Sequence, residues 1–168
     1  MIKIINNFFE KEKLKQIVSH IKNNIYFTPH WTGDLSNTKE NFYGNRFCLN
    51  NDTNLFNTFI KQSEKNFNLK IKKVHDNCGI DMRNLDRFFP HVDSSDKEVK
   101  LNVLVMLDGP IGVTTGTVFY TDGELDIHVG FRPNRAILFP SNYFHSAHKS
   151  EIKNLKRYTA SIFIKEYD

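Results

Sequence analysis

The 168-residue chain is short of several things, and each shortage excludes something. Cys48 and Cys78 are its only cysteines. They lack C-x-x-C spacing, which suits free thiols in a reducing cytoplasm, our expected location; a single bridge between them stays open. No apolar run approaches the ~18 residues of a membrane-spanning helix. The opening Met1-Ile2-Lys3-Ile4-Ile5-Asn6-Asn7 turns polar too soon for a secretory leader. Charge of one sign is scarce as well. Twenty-three basic residues are scattered among 19 acidic ones, leaving +4, so no nucleic-acid partner is expected. No internal repeat and no low-complexity segment occurs.

What the chain does have is apolar and aromatic bulk. Hydrophobic residues make up 39%, with 15 Phe and 6 Tyr, which excludes a disordered tail or a coiled coil. A chain of this length buries about 70% of its unfolded surface and holds a core without staples. We read residues 1–168 as one domain, with helical support over about 1–68 and a β-barrel over about 69–168. The abundance of Lys, Asn, Ile and Phe reflects A/T-rich coding, as in a phage or a small-genome bacterium.

Local patterns support that division. Asn7 and Glu10 have the spacing of a capping box, and Leu14, Ile17, Val18, Ile21 and Ile25 follow at helical intervals. Thr28 to Gly33 reads as a loop. A second helix is expected from Asp52 or Thr53, with Phe56, Phe59, Ile60 and Phe67 on its inner side. From Leu69 the signal changes to strands. Leu101–Leu107 is apolar on both faces and therefore central, and shorter candidates follow at Gly116–Tyr120, Leu125–Val129, Arg135–Phe139 and Arg157–Tyr167. Asp108-Gly109-Pro110, Thr121-Asp122-Gly123 and Arg132-Pro133-Asn134 separate them as turns.

The sharpest chemical feature is Pro90-His91-Val92-Asp93. Residues two apart on an extended segment share a face, so His91 and Asp93 converge on one ion. An imidazole, a carboxylate and one distant histidine make the facial triad of non-haem Fe(II) oxygenases, which leaves three coordination positions open. His145, in Phe139-Pro140-Ser141-Asn142-Tyr143-Phe144-His145, is placed to be the third ligand. Other histidines compete less well. His148 is an odd number of residues from His145 and so inverts the face, and His128 precedes the Arg135–Phe139 strand. His20, His30 and His75 read as solvated. Glu124 and Asp126 share a strand face but no cleft accompanies them.

In this order the motifs resemble the 2-oxoglutarate- and Fe(II)-dependent dioxygenases, in the branch similar to prolyl 4-hydroxylases. The resemblance runs from about Asp81 to Tyr167. Pro90-His91-Val92-Asp93 comes first and the apolar strand Leu101–Leu107 second. Thr115-Gly116-Thr117-Val118-Phe119-Tyr120 is similar to the family's G-G-T-x-F-Y strand. Pro133–Pro140 looks like the strand leading to the distal histidine, and Arg157-Tyr158-Thr159-Ala160-Ser161 matches its basic residue and hydroxyl. Ile4–Phe9 looks like the start of small phage and bacterial members.

The resemblance implies an α+β fold, a double-stranded β-helix (jelly-roll) barrel with N-terminal supporting helices. It implies Fe(II) held by His91, Asp93 and His145, with 2-oxoglutarate chelating the metal and O2 taking the remaining position. The far carboxylate of 2-oxoglutarate would meet Arg157, whose guanidinium matches it bidentately, and Ser161 on the same strand face. Decarboxylation to succinate and CO2 would accompany hydroxylation of a C–H bond in a peptide or protein, or in a small molecule.

The sequence also departs from the pattern. Thr115 replaces the first glycine, arginine stands where prolyl 4-hydroxylases proper carry lysine, and no tyrosine precedes the His-x-Asp segment in Asp81–Phe89. Asn102 reads equally as a cavity residue or a satisfied core amide. A halogenase is disfavoured because Asp93 is present, and a nucleic-acid demethylase because Phe163 stands where a second arginine would. The competing classes are a non-catalytic cupin-like module and a protein holding Zn(II) in the same triad. Specificity is expected in Tyr26–Arg46, with Trp31, Phe42 and Tyr43, and in Ser94–Glu98. Phe88, Phe89, Phe119, Phe139 and Phe144 are candidate core.

Overall fold

The computed structural model describes residues 1–31, 42–84, 90–93, 98–148 and 156–168, and the side chains of these except at 31, 42, 43, 84, 113 and 114. The candidate core residues Phe88 and Phe89 and residues 94–97 of the expected specificity segment lie outside the described residues, as do the side chains of Trp31, Phe42 and Tyr43.

Two α-helices, one 3-10 turn (Leu49–Asn51) and eleven strands occur among the described residues: β1 Lys3–Ile5, α1 Lys11–Asn24, β2 Thr28–Trp31, β3 Phe42–Cys48, α2 Thr53–Phe67, β4 Ile71–Val74, β5 Gly79–Asn84, β6 Leu101–Asp108, β7 Gly112–Thr121, β8 Glu124–Phe131, β9 Arg135–Pro140, β10 His145–Ala147 and β11 Lys156–Tyr167. Eight strands form one antiparallel sheet in the order β1-β9-β6-β11-β5-β3-β2, with β4 also on β11. The other three form β10-β7-β8. Two antiparallel sheets face one another in the manner of a jelly roll. The apolar run Leu101–Leu107 is central, as expected, with β9 on one side and β11 on the other.

Two apolar clusters divide the interior. Ile17, Ile21, Leu55, Phe59 and Phe67 from the helices pack with Val103, Val105, Leu107, Ala160, Ile162 and Ile164 of the large sheet. Leu104, Met106, Ile137 and Phe139 of that sheet meet Phe119, Val129 and Phe131 of the small one. Successive residues of β6 thus serve opposite layers, which is why this strand reads as apolar on both faces.

The N-terminal third is less helical than its sequence suggests, because three strands lie within it. The segment at Thr28 is no loop: Thr28–Trp31 pairs antiparallel with β3, and Pro29 is tolerated because β2 lies at the sheet edge. The capping box does not form. Asn7 adopts a left-handed φ of 60°, α1 begins only at Lys11, and no side chain caps it. The Asn134 side chain instead bonds both the N–H and the carbonyl of Phe9, at 2.8 Å each, and Phe8 and Phe9 turn into the core. At α2 the expectation holds: Asp52 accepts from the Leu55 N–H at 2.9 Å. His20 is not simply solvated, since its Nε2 lies 2.9 Å from Asp52. Both cysteines are free thiols, and burial pushes the Cys78 thiol up to about 11. Among the described residues no helix is long and apolar enough to cross a membrane.

Candidate metal centre

Backbone pairing brings the three predicted ligands together. His91 and His145 form an isolated antiparallel bridge, each N–H donating to the other's carbonyl at 2.8 and 2.9 Å. The Asp93 N–H donates to Ser141 O at 3.1 Å, which holds Asp93 beside the end of β9. β10, which begins at His145, pairs with β7 so that His145 stands opposite Phe119. The imidazole of His145 is boxed by Phe119 (5.8 Å), Phe139 (4.8 Å) and His91 (4.6 Å between centroids).

The ligand atoms of His91, Asp93 and His145 all lie within 4.8 Å of one another, the one such group among the described residues. His91 Nε2 is 3.7 Å from Asp93 Oδ1, and His145 Nε2 is 3.5 Å from Asp93 Oδ2. These separations are too long for good hydrogen bonds. They approach the ~3 Å between adjacent donors that each sit ~2.1 Å from a shared ion at right angles. His145 Nδ1 lies 2.9 Å from the Tyr143 carbonyl. A carbonyl only accepts, so Nδ1 carries the proton and Nε2 presents its lone pair, the tautomer a metal needs. Two imidazole nitrogens and one carboxylate, with one imidazole oriented by a backbone carbonyl, fit a divalent transition metal.

Of its two readings, Asn102 departs from the satisfied core amide and faces the candidate site. Its Nδ2 donates to Asp93 Oδ2 at 2.6 Å from a site 2% exposed on β6, so it orients the candidate carboxylate ligand. Its own Oδ1 is buried with no hydrogen-bond partner among the described residues.

Arg157 and Ser161 lie on the inner face of β11, both buried. Arg157 Nη1 crosses to β7, donating to Gly116 O at 2.8 Å, and its guanidinium stands 5.7 Å from the Phe131 ring. Thr115 uses its hydroxyl on the carbonyls of Pro110 and Gly112. The rival histidines fall together elsewhere. The His128 and His148 rings lie tilted against each other with centroids 4.9 Å apart, and His128 Nε2 lies 2.9 Å from Thr115 O. Glu124 and Asp126 are exposed, and Asp126 accepts from Thr121.

Sequence reading missed Arg46, Asp81 and Arg83, which meet in a buried ion cluster where β3 joins β5. The available signal was the alternation Ile80-Asp81-Met82-Arg83, charges on one face of a strand and apolar residues on the other.

No protein-family model matches the sequence, and no curated protein sequence matches it. Solved structures do. A prolyl hydroxylase from Trichoplax adhaerens, in complex with a peptide fragment of the hypoxia inducible factor oxygen degradation domain, superposes with a TM-score of 0.70 at 14% identity, over 98% of this chain and 83% of that one. A Pseudomonas putida prolyl-4-hydroxylase gives 0.69 at 11% identity, over 98% and 92%. A 2OG-Fe(II) oxygenase family oxidoreductase from Burkholderia pseudomallei gives 0.68 at 13%, over 98% and 85%. With the two-sheet topology above, the chain has the fold of the 2OG-Fe(II) oxygenases in its prolyl hydroxylase-like form.

Proposed function

We infer that the protein is an Fe(II)- and 2-oxoglutarate-dependent oxygenase that hydroxylates a C–H bond. The observation that carries this reading is the convergence of His91, Asp93 and His145, from segments more than fifty residues apart, on a fold shared with enzymes of that chemistry. His91 and His145 would hold the ion through Nε2, and Asp93 through the oxygen that Asn102 leaves open. Arg157 and Ser161 would bind the far carboxylate of 2-oxoglutarate, Arg157 exchanging or sharing its Gly116 carbonyl contact. Loaded with both, the site supplies O2-dependent decarboxylation of 2-oxoglutarate to succinate and CO2, coupled to substrate oxidation.

A peptide or small-molecule substrate is the proposed partner; the peptide bound by the Trichoplax enzyme supports the first. Val92 is exposed between the two ligands of its segment, and Tyr143 and Phe144 are exposed immediately before His145, an apolar rim suited to an organic substrate. Because basic and acidic residues are intermixed along the sequence, nucleic acid is not the proposed partner, and a cytoplasmic location accompanies the proposal.

The test is anaerobic titration with Fe(II) and then 2-oxoglutarate. A visible charge-transfer band that bleaches on admitting oxygen, with succinate formed, supports the oxygenase. Metal bound without any band points to the non-catalytic module. Arg157→Ala is expected to raise the 2-oxoglutarate concentration needed for the band at least tenfold while Fe(II) still binds.

A further inference from the structure

The candidate ligands stand in a row that runs on across the small sheet. His91 bridges His145, His145 stands opposite Phe119, and Phe119 stands opposite Ile127 on β8. Residues directly opposite on antiparallel strands share a face. Phe119 belongs to the interior cluster and its ring lies 5.8 Å from that of His145, so the shared face is the inner one. Ile127 therefore occupies the same face and the same level as the two histidines. Strand spacing sets its backbone about 10 Å from that of His145, across β7.

Exposure along β8 marks where the interior opens. Phe131 and Val129, on the inner face, are 2% and 3% exposed, whereas Ile127, the next residue on that face, is 37% exposed. Phe119, in the middle of the row, is closed over by Phe139 and Tyr143, with centroids 5.0 and 6.5 Å away. His91, at the far end, keeps 34% of its side chain exposed. Solvent thus reaches the row at both ends, at a metal ligand and at an aliphatic side chain. A single exposed isoleucine on an outer face needs no account. On the inner face, level with the candidate ligands, it offers apolar surface to whatever is bound at the ion.

The charge around it narrows the choice. Asp122, Glu124 and Asp126, on the hairpin that carries Ile127, are all exposed. Like charge disfavours a free carboxylate there. We propose that Ile127 is a specificity-determining residue, packing against an apolar side chain roughly three residues away from the one oxidised, within an interior segment of a peptide substrate. Reach carries the argument. Extended backbone advances about 3.3 Å per residue, so about 10 Å is roughly three residues, and a free amino acid held at the ion ends short of Ile127. The proposal rests on the oxygenase reading and chooses between its two substrate classes.

The test uses the full chain with Fe(II), 2-oxoglutarate and O2, once the charge-transfer band has shown the cosubstrate in place. The probes are a pooled positional-scanning set of N-acetylated, C-amidated octapeptides and, separately, the free amino acids. Each oxidation consumes one O2 and one 2-oxoglutarate, releases succinate and CO2, and converts one C–H to C–OH. The added oxygen atom is located by fragmentation in a mass spectrometer. Oxidised peptides are expected to carry an apolar residue two to four positions from the oxidised one, at least tenfold more often than a charged residue. Ile127→Glu, with the band retained, is expected to turn that preference toward Lys or Arg. Ile127→Ala, which removes only bulk, is expected to shift it toward larger side chains, and it serves if the glutamate variant does not fold. A flat preference in the wild type, an unchanged preference in the folded variant, oxidation of free amino acids alone, or no oxidation of any probe by protein that forms the band each overturns the proposal. Failure of the wild type to form the band overturns the oxygenase reading and with it this one.

Discussion

The two faces of the large sheet are built from the same strands and do opposite work. Along β11, Ala160, Ile162 and Ile164 are fully buried against the helices, while Arg157, Thr159 and Ser161, interleaved with them, are buried among polar groups on the other side. Along β5, Ile80 faces the helices while Asp81 and Arg83 face inward. Burial is nearly equal, so exposure cannot tell the faces apart. Chemistry can: one side is packed mainly with apolar side chains, Ser63 of α2 being a buried polar exception, and the other concentrates charges whose desolvation must be met by specific partners. A strand that alternates apolar residues with buried ionisable ones is therefore the mark of a site, whereas a strand alternating with exposed polar residues marks only a surface.

Breaking one face at a time separates their roles. Asp93→Ala is expected to abolish tight metal binding, measured by metal titration, with folding retained; His128→Ala and His148→Ala should leave it unchanged. On the helix side, Phe59→Ala removes a fully buried ring that stands edge-on to Phe9 at 5.3 Å. It should cost about 3–5 kcal/mol in denaturant unfolding while leaving the metal affinity of the folded fraction intact. Asn102→Ala lies between the two. It deletes the 2.6 Å bond to Asp93 and should weaken metal affinity ~10–100-fold, the range typical of groups that orient a ligand. The smallest effect concerns neither face. The Leu55 N–H above all, and then His20, hold the Asp52 carboxyl below its usual range. A depressed folded pKa stabilises above the unfolded value and loses that contribution as pH falls through the folded one. Asp52→Ala should accordingly cost about 1 kcal/mol near neutrality, and the difference from wild type should vanish in acid.

Much of this was legible in the chain. The strands β6, β7, β8, β9 and β11 declare themselves by alternation and by the turns between them, because their pattern repeats locally. The candidate ligands His91, Asp93 and His145 could be nominated because their spacing is set by one extended segment and one short strand, and the fold brings their ligand atoms within 4.8 Å of one another. What stayed hidden depends on partners far along the sequence. β2 and β3 look irregular, with Pro29 and Gly44, until the sheet edge they occupy is known. The Asn7–Glu10 capping box lost to the clamp of Asn134, more than a hundred residues away. Asn102 could not be assigned because its meaning is a single contact with Asp93, which only the fold brings beside it.

The placement of the triad has a mechanical consequence. His145 belongs to the small sheet, while Asp93 is tied through Asn102 to the large one. An ion gripped by both would act as a rivet through the sandwich, and separating the sheets would require letting it go. Uptake of metal would then also clamp the whole fold, adding about 4 kcal/mol to resistance against unfolding when free metal exceeds its dissociation constant a thousandfold. Starvation for the ion would cost the cell the protein's durability along with its chemistry.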